Sequence, residues 1–350
     1  MLMEASRSDE ILYLNSETVR ELCDSLDVVS VIEEVLRLHG NGETTLPDEA
    51  YLPWTDPNGL PVRSLNMPGY VRGVQHIVGT KIINSNPANP KQSLPRASGV
   101  TLLFDHCSGR IRCIMEGAHI SAVRTASVST IAMRKLRCAS ANTLSVIGSG
   151  EIGRAHVHIA MRSILQIERI VLFDLDQARA ARLAEELRKS YGQRAQVEVS
   201  NHSEEAVRAA DLLVTATTVT EGYIRYEWLK PGAVVVHVSL DDLLPEVIAK
   251  ADLVFVDDWG LVRSDSRRLL GRMIRSGDLI GPKDVRQSVA AARQVDAELA
   301  DVVLGRHQGR RTERDIIVVN PFGLAIEDLA LAGKVMEIAM KRGLGTWLTR

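Results

Sequence analysis

Residues 143–156 read TLSVIGSGEIGRAH, and this stretch decides the fold of the 350-residue chain. An apolar run at 143–147 leads into three glycines in G-x-G-x-x-G spacing, and a helical segment opens at Glu151. A second apolar run, 170–173, ends in Asp174. Strand, glycine-rich turn, helix, second strand and acid in this order predict a Rossmann-type dinucleotide-binding turn. The helix N-terminus then offers free N–H groups and partial positive charge to a pyrophosphate.

Asp174 would accept hydrogen bonds from the ribose hydroxyls and repel a 2′-phosphate, which favours NAD over NADP. Arg179 lies close enough to keep NADP as the alternative. Thr215 and Thr217 end the predicted fourth strand, where the sheet reverses its order, although threonine is common at strand ends in any case. The predicted cofactor-contacting residues are Gly148, Ser149, Gly150, Glu151, Ile152, Gly153, Asp174, Thr215, Thr217, Ser239 and Thr125.

The pattern of apolar and polar residues changes near residue 140. After it, apolar runs alternate with helical segments, which predicts a parallel sheet covered on both faces. These runs lie at 143–147, 169–173, 195–199, 211–216, 233–238, 251–256 and 315–319. Before it, the pattern is mixed and includes a turn-rich passage with four prolines between residues 47 and 61. The strands predicted there are 62–67, 76–83, 98–104 and 111–115, followed by helix Ala118–Leu136. The fold class is therefore α/β, a Rossmann domain over 139–320 beside a second, α+β domain.

Composition excludes several classes of function. The formal net charge is −2 and only 4% of residues are aromatic, so a nucleic-acid partner is not expected. No apolar run approaches a membrane span, and the first ten residues lack the apolar core of a signal peptide. Four cysteines without a CxxC pair suggest reduced thiols and a cytoplasmic location. No histidine motif predicts a metal site, since His156 and His158 point to different faces of a helix.

Three cations in the first half are placed unusually. Arg63 begins an apolar strand, Lys81 sits within one, and Arg124 lies in a helix of small and apolar residues. Buried cations need anionic partners, and arginine grips a carboxylate bidentately. Each one alone has an equally good alternative as a surface or snorkelling cation. Together they favour a pocket for an amino-acid or keto-acid carboxylate.

With these features, the chain resembles the ornithine cyclodeaminase/mu-crystallin family. The resemblance is carried by Lys81 in GTK, PANP at 87–90, GVTLLFD at 99–105, RTAS at 124–127 and PFG at 321–323, besides the glycine turn. It implies a homodimer in which residues 1–138 and 321–350, including a C-terminal helix at Phe322–Arg342, form a substrate and dimerisation domain. It also implies that Arg63, Lys81 and Arg124 hold the substrate carboxylate near the nicotinamide ring.

Family members share one opening step, hydride transfer from the Cα of an amino acid. Cyclodeaminases carry an aspartate after the fifth Rossmann strand, and counting back from Glu246 places Leu240 at that position, although a slip of one residue would place Asp241 there. This weakens ornithine or lysine cyclodeamination as the activity. Alanine dehydrogenase, ketimine reductase and a mu-crystallin-type binding role remain alternatives.

The stretches 63–70, 81–87, 94–99 and 237–243 are similar to the dehydrogenases of 2,3-diaminopropionate biosynthesis, which serve siderophore and peptide-antibiotic pathways. The resemblance implies NAD-dependent oxidation of N-(1-amino-1-carboxyl-2-ethyl)-glutamate, supplied by an upstream cysteine-synthase-like enzyme. That substrate has three carboxylates, so Arg96 is a further candidate contact; a solvated loop arginine is the alternative. The proton acceptor is Lys81 with a lowered pKa, Asp241, Asp242 or water.

Overall fold

The computed structural model describes residues 9–73, 75–284 and 292–350, and its chain divides into two compact units. Unit 1 comprises Met1–Arg124 and Leu324–Arg350, and unit 2 comprises Thr125–Gly323. The strands are β1 Glu10–Leu14, β2 Thr44–Thr45, β3 Ala50–Thr55, β4 Pro61–Val71, β5 Ile77–Ser85, β6 Ala97–Phe104, β7 Ile111–Glu116, β8 Thr143–Ile147, β9 Arg169–Phe173, β10 Gln196–Val199, β11 Leu212–Thr215, β12 Val234–His237, β13 Leu253–Val256, β14 Leu279–Ile280, β15 Arg293–Gln294, β16 Ala297–Glu298, β17 Ile317–Asn320 and β18 Thr346–Thr349. The helices are α1 Ser16–Asp24, α2 Val28–Gly40, α3 Ala118–Leu136, α4 Glu151–Ser163, α5 Gln177–Tyr191, α6 Ser203–Ala209, α7 Pro245–Lys250, α8 Trp259–Ser264, α9 Leu269–Ser276, α10 Leu299–Val303 and α11 Ala325–Arg342.

Unit 2 is built on a parallel sheet with the order β10-β9-β8-β11-β12-β17-β13-β16. Its central strands are buried along their whole length, because helices cover both faces of such a sheet. The order reverses between β8 and β11, which is the switch point of a doubly wound fold. This confirms the predicted α/β fold with a Rossmann-type domain.

Unit 1 holds an eight-stranded sheet in the order β18-β1-β7-β6-β5-β4-β2, with β3 paired to β4. All of its strand pairs are antiparallel except β1 with β7. Helix α11 packs on one face, where Gly69 of β4 and Gly79 of β5 leave room for Leu329. A Cβ on these glycines would lie 3.2 and 3.0 Å from Leu329 side-chain atoms. The two glycines therefore set how closely α11 approaches the sheet.

The proline-rich passage was expected to be turns, and this expectation was wrong for residues 50–55. They form β3, which among the described strands pairs only with β4 and includes Pro53. Proline lacks the N–H that a central strand must donate, but an edge strand tolerates it. Every residue of β3 is exposed, so no hydrophobic alternation marks it.

The last long helix begins at Ala325 rather than at the predicted Phe322. The backbone N–H groups of Phe322 and Gly323 donate to the buried carboxylate of Asp257, at 2.8 and 2.6 Å. Gly323 has φ +94°, a conformation that few other residues adopt. These contacts hold residues 322–323 outside the helix, which therefore starts at Ala325.

The division between the units falls inside α3, at Arg124, whereas the sequence places it at 138. The second half of α3 packs within unit 2, where Ser129 Oγ and His156 Nε2 of α4 are 2.8 Å apart. A continuous helix gives no sequence signal for a boundary in its middle. Across the described residues, no helix is both long and apolar enough to cross a membrane.

Candidate active site

The glycine turn of unit 2 connects β8 to α4. Gly148 has φ +100°, and a Cβ there would lie 2.6 Å from the Ala216 carbonyl oxygen at the end of β11. A Cβ on Gly153 would lie 1.9 Å from the Gly148 carbonyl oxygen. A Cβ on Gly150, by contrast, meets no atom of the described residues within 4 Å. The first and third glycines are thus required by the protein itself, and the second leaves open space at the helix N-terminus.

This turn fits a dinucleotide pyrophosphate. Gly150 is the N-cap of α4, with Glu151, Ile152 and Gly153 in its first turn, and no side chain of the described residues caps the helix there. The Ser149 hydroxyl is buried and has no hydrogen-bond partner among the described residues. Uncapped N–H groups and an unpartnered hydroxyl beside open space are the donors that a phosphate needs.

Asp174 follows β9 and faces the same turn. Its Oδ2 accepts a hydrogen bond from the Ser149 N–H at 2.7 Å, and its Oδ1 accepts one from the Asp176 N–H at 2.9 Å. Arg179 Nη1 lies 3.9 Å from Asp174 Oδ2. The carboxylate therefore stands between the glycine turn and the end of β9, the place of a ribose-binding acid.

Several hydroxyl groups surround the buried Asp242 at the ends of β11 and β12. Thr217 Oγ1 donates to both carboxylate oxygens at 2.9 Å, Tyr223 donates at 2.7 Å, and Ser239 also donates. Thr215 Oγ1 lies 2.9 Å from Ser239 Oγ. Burial raises the pKa of Asp242, while these hydrogen bonds lower it. The structure thus brings together three predicted cofactor contacts, Thr215, Thr217 and Ser239, around one predicted acid.

Three further positions of unit 2 considered from the sequence have surroundings that differ from those of Asp242. Asp241 is buried and forms an ion pair with Arg272. Leu240, at the position of the cyclodeaminase aspartate, is 41% exposed. Thr125 lies on α3, where its carbonyl oxygen accepts a hydrogen bond from Ser129 Oγ at 3.1 Å.

In unit 1, Lys81 lies on the sheet face that α11 covers. Its Nζ donates to Asp328 Oδ2 at 2.7 Å and lies 3.4 Å from Ser121 Oγ. Arg124 Nη1 donates to Glu327 Oε2 at 2.8 Å, and Arg124 Nε lies 3.1 Å from Asp328 Oδ2. The four ionic side chains are all buried, at 6% exposure or less. We call Lys81, Arg124, Glu327 and Asp328 the buried ionic cluster.

The environment lowers the pKa of Lys81 to about 8 from an ordinary value of 10.5. Burial is the main cause and the charge of Arg124 adds to it, while Asp328 opposes both. A lysine in this state is neutral in part of the molecules near physiological pH, and only the neutral form accepts a proton. Lys81 is therefore suited to act as a base.

Arg63 and Arg96 form a second cationic group on unit 1. Arg63 lies on β4 opposite Ser85, and Arg96 immediately precedes β6. Desolvation, and then the charge of Arg63, lower the pKa of Arg96, although part of its side chain remains exposed. Within the described ranges no acidic side chain pairs with Arg96. An anionic ligand near Arg96 would offset the repulsion between these two guanidinium charges.

Glu327 and Asp328 were not predicted as site residues from the sequence. Two adjacent acids stand in the otherwise apolar stretch 325–332, AIEDLALA, and this was the available signal. Acids are rarely fully buried unless they are paired, so their presence in an apolar helix indicates buried cationic partners. Asp257 and Tyr223, which position the β17–α11 connection and Asp242, carried no recognisable signal.

The chain is similar to several known proteins over nearly its whole length. N-((2S)-2-amino-2-carboxyethyl)-L-glutamate dehydrogenase of Staphylococcus aureus (strain NCTC 8325 / PS 47) is 31% identical, covering 97% of this chain and 98% of the relative. The crystal structure of CmnK matches at 38% identity with a TM-score of 0.88, covering 97% and 98%. The structure of Thermococcus litoralis Delta(1)-pyrroline-2-carboxylate reductase in complex with NADH and L-proline matches at 25% identity with a TM-score of 0.84, covering 96% and 99%.

The model of one family matches residues 10–343. This is the family that the chain resembles in Lys81, in the stretch at 124–127 and in the glycine turn. The chain belongs to the ornithine cyclodeaminase/mu-crystallin family.

Proposed function

We propose that this NAD-dependent dehydrogenase oxidises N-((2S)-2-amino-2-carboxyethyl)-L-glutamate, yielding 2-oxoglutarate and L-2,3-diaminopropionate. The observation that carries the proposal is the presence of two groups of cations in unit 1, Lys81 with Arg124 in the buried ionic cluster and the Arg63–Arg96 pair. Similarity to the S. aureus enzyme with this substrate in its name supports the choice. Siderophore or peptide-antibiotic biosynthesis is the pathway that consumes such a product.

The spacing of the cations favours a long substrate. Lys81 pairs with Met67 across β4 and β5, and Arg63 lies four residues further along β4 on the same face. At the usual strand rise this separates Arg63 from Met67 by about 13 Å. A ligand with carboxylates at both ends uses both groups, whereas alanine or proline reaches only one.

The cofactor-binding role falls to unit 2. The glycine turn at 148–153 would hold the pyrophosphate, and Asp174 would bind the ribose hydroxyls. The rest of the cofactor would be contacted by Thr215, Thr217, Ser239 and Thr125. NAD, when bound, supplies the acceptor for the hydride that leaves the glutamyl Cα. Asp174 favours NAD over NADP because its charge repels a 2′-phosphate.

The substrate nitrogen must lose its proton before hydride can leave, and Lys81 is the proposed acceptor. Asp241 is paired with Arg272 and Asp242 accepts hydrogen bonds from three hydroxyls, and both belong to unit 2, whereas Lys81 belongs to unit 1 with the cations proposed to bind the substrate. Arg63, Arg96 and Arg124 orient the substrate through its carboxylates, and such orientation supplies much of the rate. Hydrolysis of the resulting imine by water releases the two products.

We assign substrate binding and dimerisation to unit 1, with a second copy of the chain as its partner. The exposed strand β3 supports this, since it carries Tyr51, Leu52 and Trp54 in contact with solvent. The substrate requires an upstream enzyme that joins glutamate to a three-carbon amino acid, of the cysteine-synthase-like type. A cytoplasmic location agrees with that supply of substrate.

The test is an assay of purified protein with NAD⁺ and the synthetic adduct. We expect one NADH formed for each 2-oxoglutarate and each L-2,3-diaminopropionate, quantified by absorbance and mass spectrometry. Proline and ammonia from ornithine with catalytic NAD⁺ would instead identify a cyclodeaminase. Oxidation of NADH by Δ1-pyrroline-2-carboxylate, without turnover of the adduct, would identify a reductase and overturn the proposal.

A further inference from the structure

Asp328 is a buried acid at the fourth position of α11, on the side of the helix that meets Lys81. It is fully buried, as is its neighbour Glu327. The close packing of α11 on Gly69 and Gly79 fixes its distance from the sheet. Asp328 is therefore held in place by both the helix and the strands beneath it.

The two oxygens of Asp328 differ in their surroundings. Oδ2 accepts from Lys81 Nζ and lies 3.1 Å from Arg124 Nε. Oδ1 is buried and accepts no hydrogen bond from any described residue. A buried carboxylate oxygen without a donor costs free energy, so this position favours a ligand that donates a hydrogen bond.

A second buried polar atom beside Lys81 also lacks a hydrogen-bond partner among the described residues. Thr101 of β6 is the register partner of Lys81, so both side chains project from one face of the sheet. Its hydroxyl is buried and has no hydrogen-bond partner among the described residues. An acceptor oxygen and a hydroxyl without partners, both next to Lys81, indicate a polar ligand in this place.

The charges around Lys81 indicate what kind of ligand enters. Lys81 and Arg124 face Glu327 and Asp328, and Glu49 also acts on Lys81 through its charge. Acids already equal or outnumber bases here, so a carboxylate alone would add an uncompensated negative charge. A zwitterion adds none, because its ammonium group compensates its carboxylate.

We infer that Asp328 Oδ1 binds the protonated nitrogen of an α-amino-acid zwitterion whose carboxylate contacts Lys81 and Arg124. The inference deepens the proposed function and rests on unit 1 being its substrate site. Asp328 thereby makes an amine, rather than a hydroxy acid or a simple carboxylate, the preferred ligand. It also holds the nitrogen beside Lys81, the proposed proton acceptor.

The test compares two ligands that differ only in the amino group, L-glutamate and glutarate, by calorimetry on the full chain with NADH present. Wild-type protein should bind glutamate about 10- to 100-fold more tightly than glutarate, the effect of one charged hydrogen bond. In Asp328→Asn the ratio should fall to about one. An unchanged ratio in Asp328→Asn, or no preference in the wild type, overturns the inference.

Glu337→Gln is the matched control, since it removes the same charge from α11 at a residue that pairs with Lys334 and Lys341 and lies outside the buried ionic cluster. Its ratio should stay near the wild-type value; an equal loss in both variants overturns the inference in favour of net charge alone. If Asp328→Asn does not fold, the inference is tested on wild-type protein by comparing its affinity for L-glutamate with its affinity for L-2-hydroxyglutarate. This ligand matches glutamate in size, and tight binding of it overturns the inference.

The outcome is separable from that of the proposed function. An amine preference that depends on Asp328, without turnover of the adduct, supports Asp328 and refutes the proposed substrate. Turnover of the adduct by wild-type protein without any amine preference supports the proposed substrate and refutes the role of Asp328. Absence of binding by both glutamate and glutarate overturns the zwitterion site itself.

Discussion

Lys81 Nζ and Asp328 Oδ2 lie 2.7 Å apart, although 247 residues separate them in the sequence. Both side chains are buried, and Arg124 lies against the same carboxylate oxygen. Breaking such a pair leaves a buried charge without its partner, which typically costs about 3–5 kcal/mol. The C-terminal helix is thus bound electrostatically to the centre of the unit 1 sheet, at the residue proposed to accept the substrate proton.

Replacing Lys81 by alanine should remove the proposed base. We expect kcat for oxidation of the adduct to fall at least about 100-fold, the usual contribution of a positioned base. NADH affinity should remain, since the glycine turn belongs to unit 2. Steady-state kinetics and fluorescence titration with NADH measure the two quantities. Lys91→Ala, at an exposed lysine, is the control; an unaltered kcat in Lys81→Ala would remove Lys81 from the mechanism.

The pH profile should report the lowered pKa of Lys81. Because only neutral Lys81 accepts a proton, kcat/KM should rise with pH, pass half its maximum near pH 8 and level off above it. Asp328 raises the pKa of Lys81, so Asp328→Asn should move this rise to lower pH. Rates measured between pH 6 and 10 test both expectations. A rise that moves to higher pH in the variant contradicts the assignment.

Arg96 should govern affinity for the second carboxylate. Loss of one charged hydrogen bond costs about 1.5–3 kcal/mol, so Arg96→Gln should raise KM for the adduct about 10- to 100-fold. The change in kcat should be small, because the contact is distant from the proposed base. Arg110→Gln, at an exposed arginine paired with Asp9, provides the comparison. Equal KM values in Arg96→Gln and wild type would favour a solvated role for Arg96.

Two glycines of the turn should respond differently to alanine. A methyl group on Gly150 meets open space, so Gly150→Ala should weaken NAD⁺ binding while the free energy of unfolding changes by less than about 0.5 kcal/mol. A methyl group on Gly153 meets the Gly148 carbonyl, so Gly153→Ala should destabilise the protein by about 1–3 kcal/mol. Urea unfolding and NAD⁺ titration distinguish the two effects. Tight NAD⁺ binding by Gly150→Ala would contradict the pyrophosphate assignment.

The exposed apolar strand β3 should belong to the interface between two copies. Leu52 is 63% exposed, and a charge there disfavours burial against another chain. Leu52→Glu should therefore shift the protein from dimer to monomer in analytical ultracentrifugation. Leu175→Glu, at a leucine 85% exposed in unit 2, is the matched control. A dimer that persists in Leu52→Glu would place the interface elsewhere.

Much of unit 2 was predictable because its signals are local. The turn at 148–153 is specified by three glycines, and the structure gives a steric reason for two of them, Gly148 and Gly153. The buried strands read as apolar runs, and their ends differ from the prediction by two residues at most. The N-terminal limit of α11 was not predictable, because it depends on Asp257, a residue far away in sequence.

In unit 1 the sequence determined which residues were unusual. It singled out Lys81 and Arg124 as cations among apolar neighbours, and that argument needed only the local pattern. Their partners were decided by the tertiary structure alone, because hydrophobic packing of α11 on Gly69 and Gly79 brings Glu327 and Asp328 to them. A charge on a helix gives no sign of which strand it will face. The sequence therefore determined the cofactor fold and the need for buried anions, and the packing of one helix decided which carboxylates meet that need and which oxygen is left for a ligand.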